Sequence, residues 1–158
     1  MTSVNFYILP DDQLTSLLSY ACKAAEENWK AGKRVLIQTD SAEDSQQLDE
    51  LLWDLRKDSF IPHGIATLEA ADRQQPILLS HQKMRDNDFQ HVINLSSRPS
   101  DISLNEQTDA DSPASQTLII DELLNQNEQR KQTGRLHYKA YRDLGYSLKH
   151  HILEGTHG

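Results

Sequence analysis

The stretch Arg34-Val-Leu-Ile-Gln-Thr39 is a short apolar run that lies between two segments with helical apolar spacing. A run of this length, rich in aliphatic residues, predicts a buried β-strand. The segments on either side decide how the strand is used, because strands that alternate with helices are typical of a parallel sheet.

The segment before this strand predicts an earlier strand followed by a helix. Residues 4–9 form a second short apolar run, and Asp11 or Asp12 can cap the following helix by accepting its free backbone N–H groups. The apolar face of that helix continues to about Lys30. Gly32 follows, at a position where helices commonly end in a left-handed residue.

The segment after the strand predicts a helix with an outlying tryptophan. Asp40 or Ser41 can cap it, and its apolar stripe repeats at helical spacing: Leu48, Leu51, Leu52 and Leu55. At about 100° per residue, Trp53 lies about 150° from the centre of this stripe. Either a loop covers Trp53, as is usual for large residues, or the indole belongs to a docking surface for another protein.

Three further strands and one more helix are predicted downstream. The strands are residues 77–80, 92–95 and 117–124, and the helix spans roughly residues 125–144. Residues 96–116 are dominated by Ser, Asp, Asn, Gln, Thr and Pro, which predicts a solvated polar loop.

This alternation predicts an α/β fold with a Rossmann-like, mostly parallel central sheet flanked by helices. We expect a single domain over residues 1–150, including the polar loop at about 96–116. Residues 151–158 are expected to form an extended or frayed C-terminal tail.

The composition limits the class of protein. The chain has 158 residues, 37% of them apolar, and a formal net charge of −8, which argues against a general nucleic-acid coat protein. The N-terminus lacks a signal-peptide pattern, and no apolar run approaches the roughly 20 residues needed to cross a bilayer. Cys22 is the single cysteine, which fits a reducing compartment. We therefore expect a cytoplasmic protein that does not bind membranes.

The sequence predicts no catalytic site, no cofactor and no metal. Ala31-Gly-Lys33 resembles a phosphate-binding loop, but it lacks the first glycine and the Ser or Thr after the lysine. Asp121 and Glu122 are adjacent and face different ways on a strand, so they are poor acid–base partners. Cys22 lies beside the inner face of the first helix, where packing is the simpler role. A loose terminal cluster is weak evidence for a metal site: His150, His151 and His157.

The last predicted helix has a basic face within an acidic chain. Five of its residues follow spacings of three and four: Lys131, Arg135, Tyr138, Lys139 and Arg142. This face is either a solvated basic surface near a helix C-terminus or an anion site. An anion site of this kind suits nucleic-acid phosphates or an acidic peptide with a terminal carboxylate and an apolar side chain.

Several blocks of the sequence together resemble a known family. They are Phe6-Tyr-Ile-Leu9, Ala21-Cys-Lys-Ala-Ala25 with Trp29, Gly32-Lys-Arg-Val-Leu-Ile37, Leu48-Asp-Glu-Leu-Leu-Trp53, Ser59-Phe-Ile-Pro-His63, Gln75-Pro76, Ile93-Asn-Leu95, Arg135-Leu-His-Tyr-Lys-Ala-Tyr-Arg142 and Gly145-Tyr146. The combination is similar to the chi subunit of bacterial DNA polymerase III, over nearly the whole chain. Gly134 departs from the family pattern, since alanine is more usual there and glycine costs about 1 kcal/mol in a helix.

The resemblance implies a non-catalytic accessory subunit of the clamp-loader assembly, with a Rossmann-like fold that binds no nucleotide. It implies a heterodimer with the psi subunit and binding of the acidic C-terminal tail of single-stranded DNA-binding protein during DNA replication. The psi-facing residues would be Trp53, Phe60, Pro62 and His63. The tail-binding residues would be Leu124, Lys131, Arg135, Tyr138 and Lys139.

The resemblance also bears on location and on further partners. It places the chain in the cytoplasm with the replisome at the nucleoid, and it admits a helicase as another partner of the psi-facing surface. Nucleic acid would be contacted only indirectly. Two other classes stay open at this point: direct single-stranded nucleic-acid binding through the basic helix, and a small nucleotide-handling enzyme of similar fold.

Overall fold

The computed structural model describes residues 2–55, 62–65, 75–81, 89–100 and 118–153. Within these ranges the chain forms seven strands and three helices. In chain order they are β1 (Thr2–Ile8), α1 (Leu14–Lys30), β2 (Val35–Gln38), α2 (Ala42–Leu55), β3 (His63–Ile65), β4 (Ile77–Ser80), β5 (His91–Asn94), β6 (Leu118–Leu124), α3 (Glu128–Asp143) and β7 (Ser147–Ile152).

The seven strands form one sheet in the order β3-β4-β2-β5-β6-β1-β7, and every described strand pair is parallel. The register aligns Ile8 of β1 with Leu124 of β6 on one side and with Ile152 of β7 on the other. The predicted Rossmann-like α/β fold is confirmed. No helix among the described residues has the length and apolar character that a membrane span requires.

Helices cover both faces of the sheet. One core lies under α1 and α2, where Leu18, Ala21 and Leu48 pack on alternate residues of the strands such as Ile37 and Leu79. The other lies under α3 and contains the opposite side chains of the strands, among them Val4, Phe6, Leu36, Val92 and Ile120, with Tyr141 from α3 itself. Because both faces are covered, the central strands read as continuous apolar runs.

The ends of α1 and α2 differ in how they are capped. Ser41 caps α2 as predicted, since its Oγ accepts the Asp44 N–H at 3.1 Å. The prediction that Asp11 or Asp12 caps α1 is wrong, because the N-cap residue is Gln13 and makes no side-chain cap bond. The Asp11 carboxylate instead accepts the N–H of Gln13 at 3.0 Å, which forms a local turn just before the helix. Gly32 ends α1 with φ of 85°, as its position predicts.

Two strands were missed by the periodicity of the sequence. β3 has only three residues, too few for an alternating pattern. β7 lies at the edge of the sheet and exposes most of its side chains, so its residues Ser147-Leu-Lys-His-His-Ile152 are largely polar. It also extends to Ile152, two residues into the segment that we expected to be a tail.

A buried carboxylate ties α3 to the sheet. Glu122 of β6 accepts hydrogen bonds from Nδ1 of His137 at 2.7 Å, the Tyr141 hydroxyl at 2.6 Å and the Asn94 amide at 2.7 Å. His137 also donates from Nε2 to the Ser97 carbonyl at 3.0 Å. Since a carbonyl and a carboxylate only accept, both ring nitrogens donate, and His137 is an imidazolium.

Protonation of His137 depends on Glu122. Burial by itself would lower the pKa of His137, but the hydrogen bond and charge of Glu122, together with the Ser97 carbonyl, outweigh it and raise the pKa. Burial, together with the charge of Glu122, raises the pKa of Tyr141, which therefore stays a neutral donor. The raised pKa of His137 means that its imidazole binds a proton more tightly in the folded protein than in the unfolded chain.

We expect the substitution His137→Gln to lower the free energy of unfolding by about 3 kcal/mol near pH 6, because it leaves the buried Glu122 without its cation. The stabilisation from His137 is complete below the unfolded value of about 6.5 and is lost as pH rises through the raised folded-state pKa. Urea denaturation should therefore show the wild type and the variant converging as pH increases. His151→Gln, at a half-buried histidine that bonds Asn5, is the control. A difference that stays constant with pH would contradict this role for the imidazolium.

Candidate protein-binding surfaces

A groove of about 430 Å³ lies between the first half of α3 and the sheet. We call it the α3 groove, and its lining residues are Phe6, Ile8, Leu124, Asn125, Lys131, Gly134, Arg135, Tyr138 and His150. Four of the five residues predicted for tail binding line it: Leu124, Lys131, Arg135 and Tyr138. The fifth, Lys139, is exposed and lies outside the groove. Its walls therefore combine two cations from α3 with an apolar floor from β1 and β6 and an imidazole from β7.

The starting residue of α3 and its helical spacing set the positions of Lys131 and Arg135. The side chain of Asn127 accepts the Arg130 N–H at 3.1 Å and so fixes the start of the helix. Lys131 and Arg135 are one helical turn apart and lie on the same face. Lys131 is partly covered and lies 3.8 Å from the exposed carboxylate of Glu128, whereas Arg135 is exposed. Exposed contacts of this length contribute little free energy, so both cations are available to an incoming anion.

Gly134 has a packing role that its helix propensity does not reveal. A Cβ atom at this position would lie 2.4 Å from Cδ1 of Leu124, far inside van der Waals contact. The missing side chain lets Leu124 pack beneath α3, where it forms part of the groove floor. Gly134 thus makes room for the side chain of Leu124 in this chain.

Three rings form one wall of the α3 groove. Phe6 stacks on His150 with ring centroids 5.3 Å apart and contacts Tyr138 at 5.6 Å. Tyr138 and His150 complete the cluster at 5.1 Å. The strand register explains this grouping, because Phe6 of β1 is aligned with His150 of β7.

The second candidate surface is at the end of α2, on the opposite face of the sheet from α3. Trp53 is 56% exposed, and its ring meets the ring of His63 edge-on at 5.1 Å. Nε2 of His63 lies 3.0 Å from a carboxylate oxygen of Asp49, and Pro62 is half-buried beside it. Phe60 lies outside the described residues. The exposure of Trp53 favours the docking interpretation over a covered indole.

A cleft of about 330 Å³ lies at the carboxyl edge of the sheet, where parallel α/β folds commonly bind ligands. Its polar groups are largely engaged with one another. Asp40 accepts the Ser97 N–H and hydroxyl at 2.7 and 2.9 Å. Arg130 donates to the Leu95 carbonyl at 3.3 Å, and burial lowers its pKa. This mutual pairing distinguishes the cleft from the α3 groove, whose cations face solvent.

Three described residues with reactive side chains, Cys22, Asp121 and Glu122, are buried and pack or form hydrogen bonds within the fold. Burial raises the pKa of the Cys22 thiol to about 12, which removes its nucleophilic form at neutral pH. Asp121 bonds His91 and Glu122 bonds His137, on opposite sides of β6. In the part of the chain that the structure describes, no group of three or more His, Cys, Asp or Glu side chains could hold a metal ion.

Sequence reasoning missed two features of the α3 groove. It did not find His150 as a wall residue, because the largely polar β7 was not predicted as a strand. It also treated Asp121 and Glu122 only as a failed acid–base pair, although Glu122 orients α3 through His137 and Tyr141. Two sequence signals could have indicated the role of Glu122. His137 and Tyr141 are four residues apart and so lie on one helix face, and Glu122 is a charged residue within an apolar strand.

Comparison with solved structures supports the fold. A crystal structure of T4 UvsW superposes with a TM-score of 0.60 at 10% sequence identity, covering 97% of this chain and 42% of that chain. The matched part is therefore less than half of UvsW, and at this identity the likeness concerns the fold alone.

Comparison with known sequences identifies the family. The model of the DNA polymerase III chi subunit (HolC) family matches residues 1–149. DNA polymerase III subunit chi of Escherichia coli is 31% identical over 152 residues, covering 94% of this chain and 96% of that protein. The subunit chi of Pseudomonas aeruginosa is 29% identical over 153 residues, covering 97% and 98%. That of Haemophilus influenzae is 31% identical over 146 residues, covering 92% and 94%. This chain therefore belongs to the DNA polymerase III chi subunit family.

Proposed function

We propose that this chain, an accessory subunit of DNA polymerase III, is a two-sided adaptor that joins the psi subunit to the acidic C-terminal tail of single-stranded DNA-binding protein. The observation that carries the proposal is the α3 groove, which sets Lys131 and Arg135 above an apolar floor that includes Ile8 and Leu124. Trp53 and His63 form a second surface on the other face of the sheet.

The chemistry of the α3 groove suits a peptide that ends in an apolar residue with a free carboxylate. The planar guanidinium of Arg135 can bind a carboxylate through two parallel hydrogen bonds, and Lys131 adds a point charge nearby. The floor around Leu124, with the ring of Tyr138, offers an apolar place for the terminal side chain. Lys139, exposed on the same helix, would meet acidic residues further from the peptide end.

The chemistry of the α2 surface suits a folded protein partner. Exposed tryptophan is enriched among residues that dominate protein–protein binding energy. The contact of His63 with both Trp53 and Asp49 holds the indole in a defined position before the partner arrives. We assign the psi subunit to this surface, with Phe60 and Pro62 as neighbouring contacts and a helicase as an additional candidate partner.

An adaptor of this design needs no catalytic site of its own. Weak binding of one tail is sufficient, because many tails on protein-coated DNA raise the local concentration and hold the polymerase assembly at its template. Contact with nucleic acid would be indirect, and the adaptor would work in the cytoplasm at the replisome.

Direct binding of single-stranded DNA is a second candidate function, favoured by the basic face of α3 within a chain of net charge −8. The two functions differ in their ligand. Affinity for bare single-stranded DNA that falls steeply with salt would support direct binding, whereas capture of single-stranded DNA-binding protein only when its tail is present would support the adaptor.

We expect Arg135→Ala to weaken binding of a synthetic tail peptide by about 1.5–3 kcal/mol, the usual loss for a charge-assisted hydrogen bond. Titration calorimetry measures this loss directly. Arg142→Ala is the matched control, because Arg142 is exposed on the same helix and does not line the groove. Equal affinities of the Arg135 variant and the wild type would remove Arg135 from the site.

We expect Trp53→Ala to weaken psi binding by 2 kcal/mol or more, on the scale of about 2–4 kcal/mol for a central aromatic anchor, and to leave tail binding unchanged. Co-purification with psi and calorimetry with the tail peptide report on the two surfaces separately. Leu136→Ala is the control, since Leu136 is another exposed large apolar residue, 70% exposed on α3. Wild-type yield of the psi complex from the Trp53 variant would refute the assignment.

We expect Gly134→Ala to reduce tail affinity while preserving the fold. The added methyl group gains about 1 kcal/mol of helix propensity but displaces the flexible end of Leu124 into the α3 groove. The affinity loss should be about 1–3 kcal/mol, the scale of overpacking costs. The double variant Gly134→Ala with Leu124→Val should recover part of the affinity, and failure to do so would show that Leu124 is not the group that closes the groove.

A further inference from the structure

His150 forms part of the α3 groove and is absent from the tail-binding residues assigned above. Its ring stacks on Phe6 at an interplanar angle of 20° and lies 5.1 Å from the ring of Tyr138. The side chain belongs to an exposed residue of the edge strand β7. Two aromatic neighbours therefore hold an accessible imidazole in a fixed place in the same groove as Lys131 and Arg135.

The groups that α3 and the strands bring to the groove beside His150 are cationic or neutral. The neutral ones are Phe6, Ile8, Leu124, Asn125, Gly134 and Tyr138, and the cationic ones are Lys131 and Arg135. Along β7 itself, Lys149 and His151 alternate to the other face of the sheet, where His151 stacks on Tyr7.

The carboxylates of the elements that surround His150 do not line the α3 groove. Glu122 of β6 bonds His137, and Glu128 of α3 is an exposed residue of the first helical turn. Asp121 of β6 bonds His91 on the other side of the sheet. Asp143 lies at the far end of α3 from the groove. These elements therefore bring no carboxylate to the lining of the α3 groove beside His150.

We propose that His150 is a further determinant of peptide recognition, which takes up a proton when the acidic tail binds and pairs as an imidazolium with a carboxylate of the peptide. The inference rests on the proposed function, since its ligand is the same tail. The arriving carboxylates favour the protonated ring, because an opposite charge stabilises an imidazolium. The face of the Phe6 ring, on which His150 stacks, also suits a cation.

The proposal makes the tail affinity depend on pH in a range where imidazoles change charge, between about pH 5 and 8. Aspartate and terminal carboxylates of a peptide stay ionised throughout the upper part of this range. Of the described histidines, His150 alone lines the α3 groove. A pH-dependent affinity with proton uptake on binding is therefore the signature of this residue.

The experiment is calorimetric titration of the full chain with a synthetic peptide that copies the acidic C-terminal tail of its single-stranded DNA-binding protein. Near pH 7, buffers of different ionisation enthalpy give the number of protons taken up on binding. We expect net uptake in the wild type and an affinity about two- to five-fold higher at pH 6 than at pH 8, the size of an exposed charge pair.

Three variants separate charge from packing. His150→Gln should bind without proton uptake and with nearly equal affinity at both pH values. His150→Phe should behave in the same way while it keeps the ring stack, so a lost stack cannot explain the result. His151→Gln, the neighbouring histidine on the other face, should behave as the wild type. Melting temperatures check that each variant is folded.

The outcomes distinguish this inference from the proposed function. If the wild-type chain binds the peptide and His150→Gln retains the same proton uptake and pH dependence, the role of His150 is refuted and the adaptor function stands. If the wild-type chain does not bind the peptide at either pH, the tail-binding function itself fails, and this inference fails with it.

Discussion

The buried carboxylate of Glu122 is the constraint on which the α3 side of the molecule depends. α3 is a polar helix, and Tyr141 is its one large residue within the buried cores that the structure describes. Its attachment therefore relies on hydrogen bonds that His137 and Tyr141 donate to Glu122. An unpaired charge at this depth costs several kcal/mol, so the rotation of α3 about its axis is strongly specified. A rotation by one residue, about 100°, would move Arg135 and Lys131 out of the groove.

The parallel sheet separates the two candidate surfaces. α1 and α2 pack on one face and α3 on the other, with the side chains of each strand alternating between them. Trp53 and the α3 groove consequently share no contact residue in the described structure. This separation is what the proposed adaptor would require, because a substitution at one surface could leave the other intact.

At the carboxyl edge of the sheet, a cleft is lined by polar groups that are largely paired with one another. Asp40, Ser97 and Arg130 line a cleft at the position favoured for ligands in open α/β sheets. Their hydrogen bonds run to one another and to the backbone, and the chain lacks a glycine-rich turn there that would let a phosphate approach the backbone. The likeness to T4 UvsW thus reflects a shared fold.

The sequence by itself determined the elements and the faces of the helices. Apolar periodicity is a local property, so it correctly indicated β2 between α1 and α2, the exposed side of Trp53, and the alignment of Lys131 with Arg135. The family resemblance added the identity of the family and the partners proposed here, which no periodicity encodes. Local patterns failed where an element was short or polar: β3 has three residues, and β7 exposes most of its side chains.

Only the tertiary structure decided which residues of the sheet each helix face contacts. The α3 groove joins Ile8, Leu124 and His150 from three strands that are adjacent in the sheet but far apart in the chain. Strand order and register, which helical and strand periods do not report, bring them together. Packing of α3 on the sheet placed Leu124 against Gly134 and Glu122 against His137. The helical glycine and the buried charge therefore shape the groove.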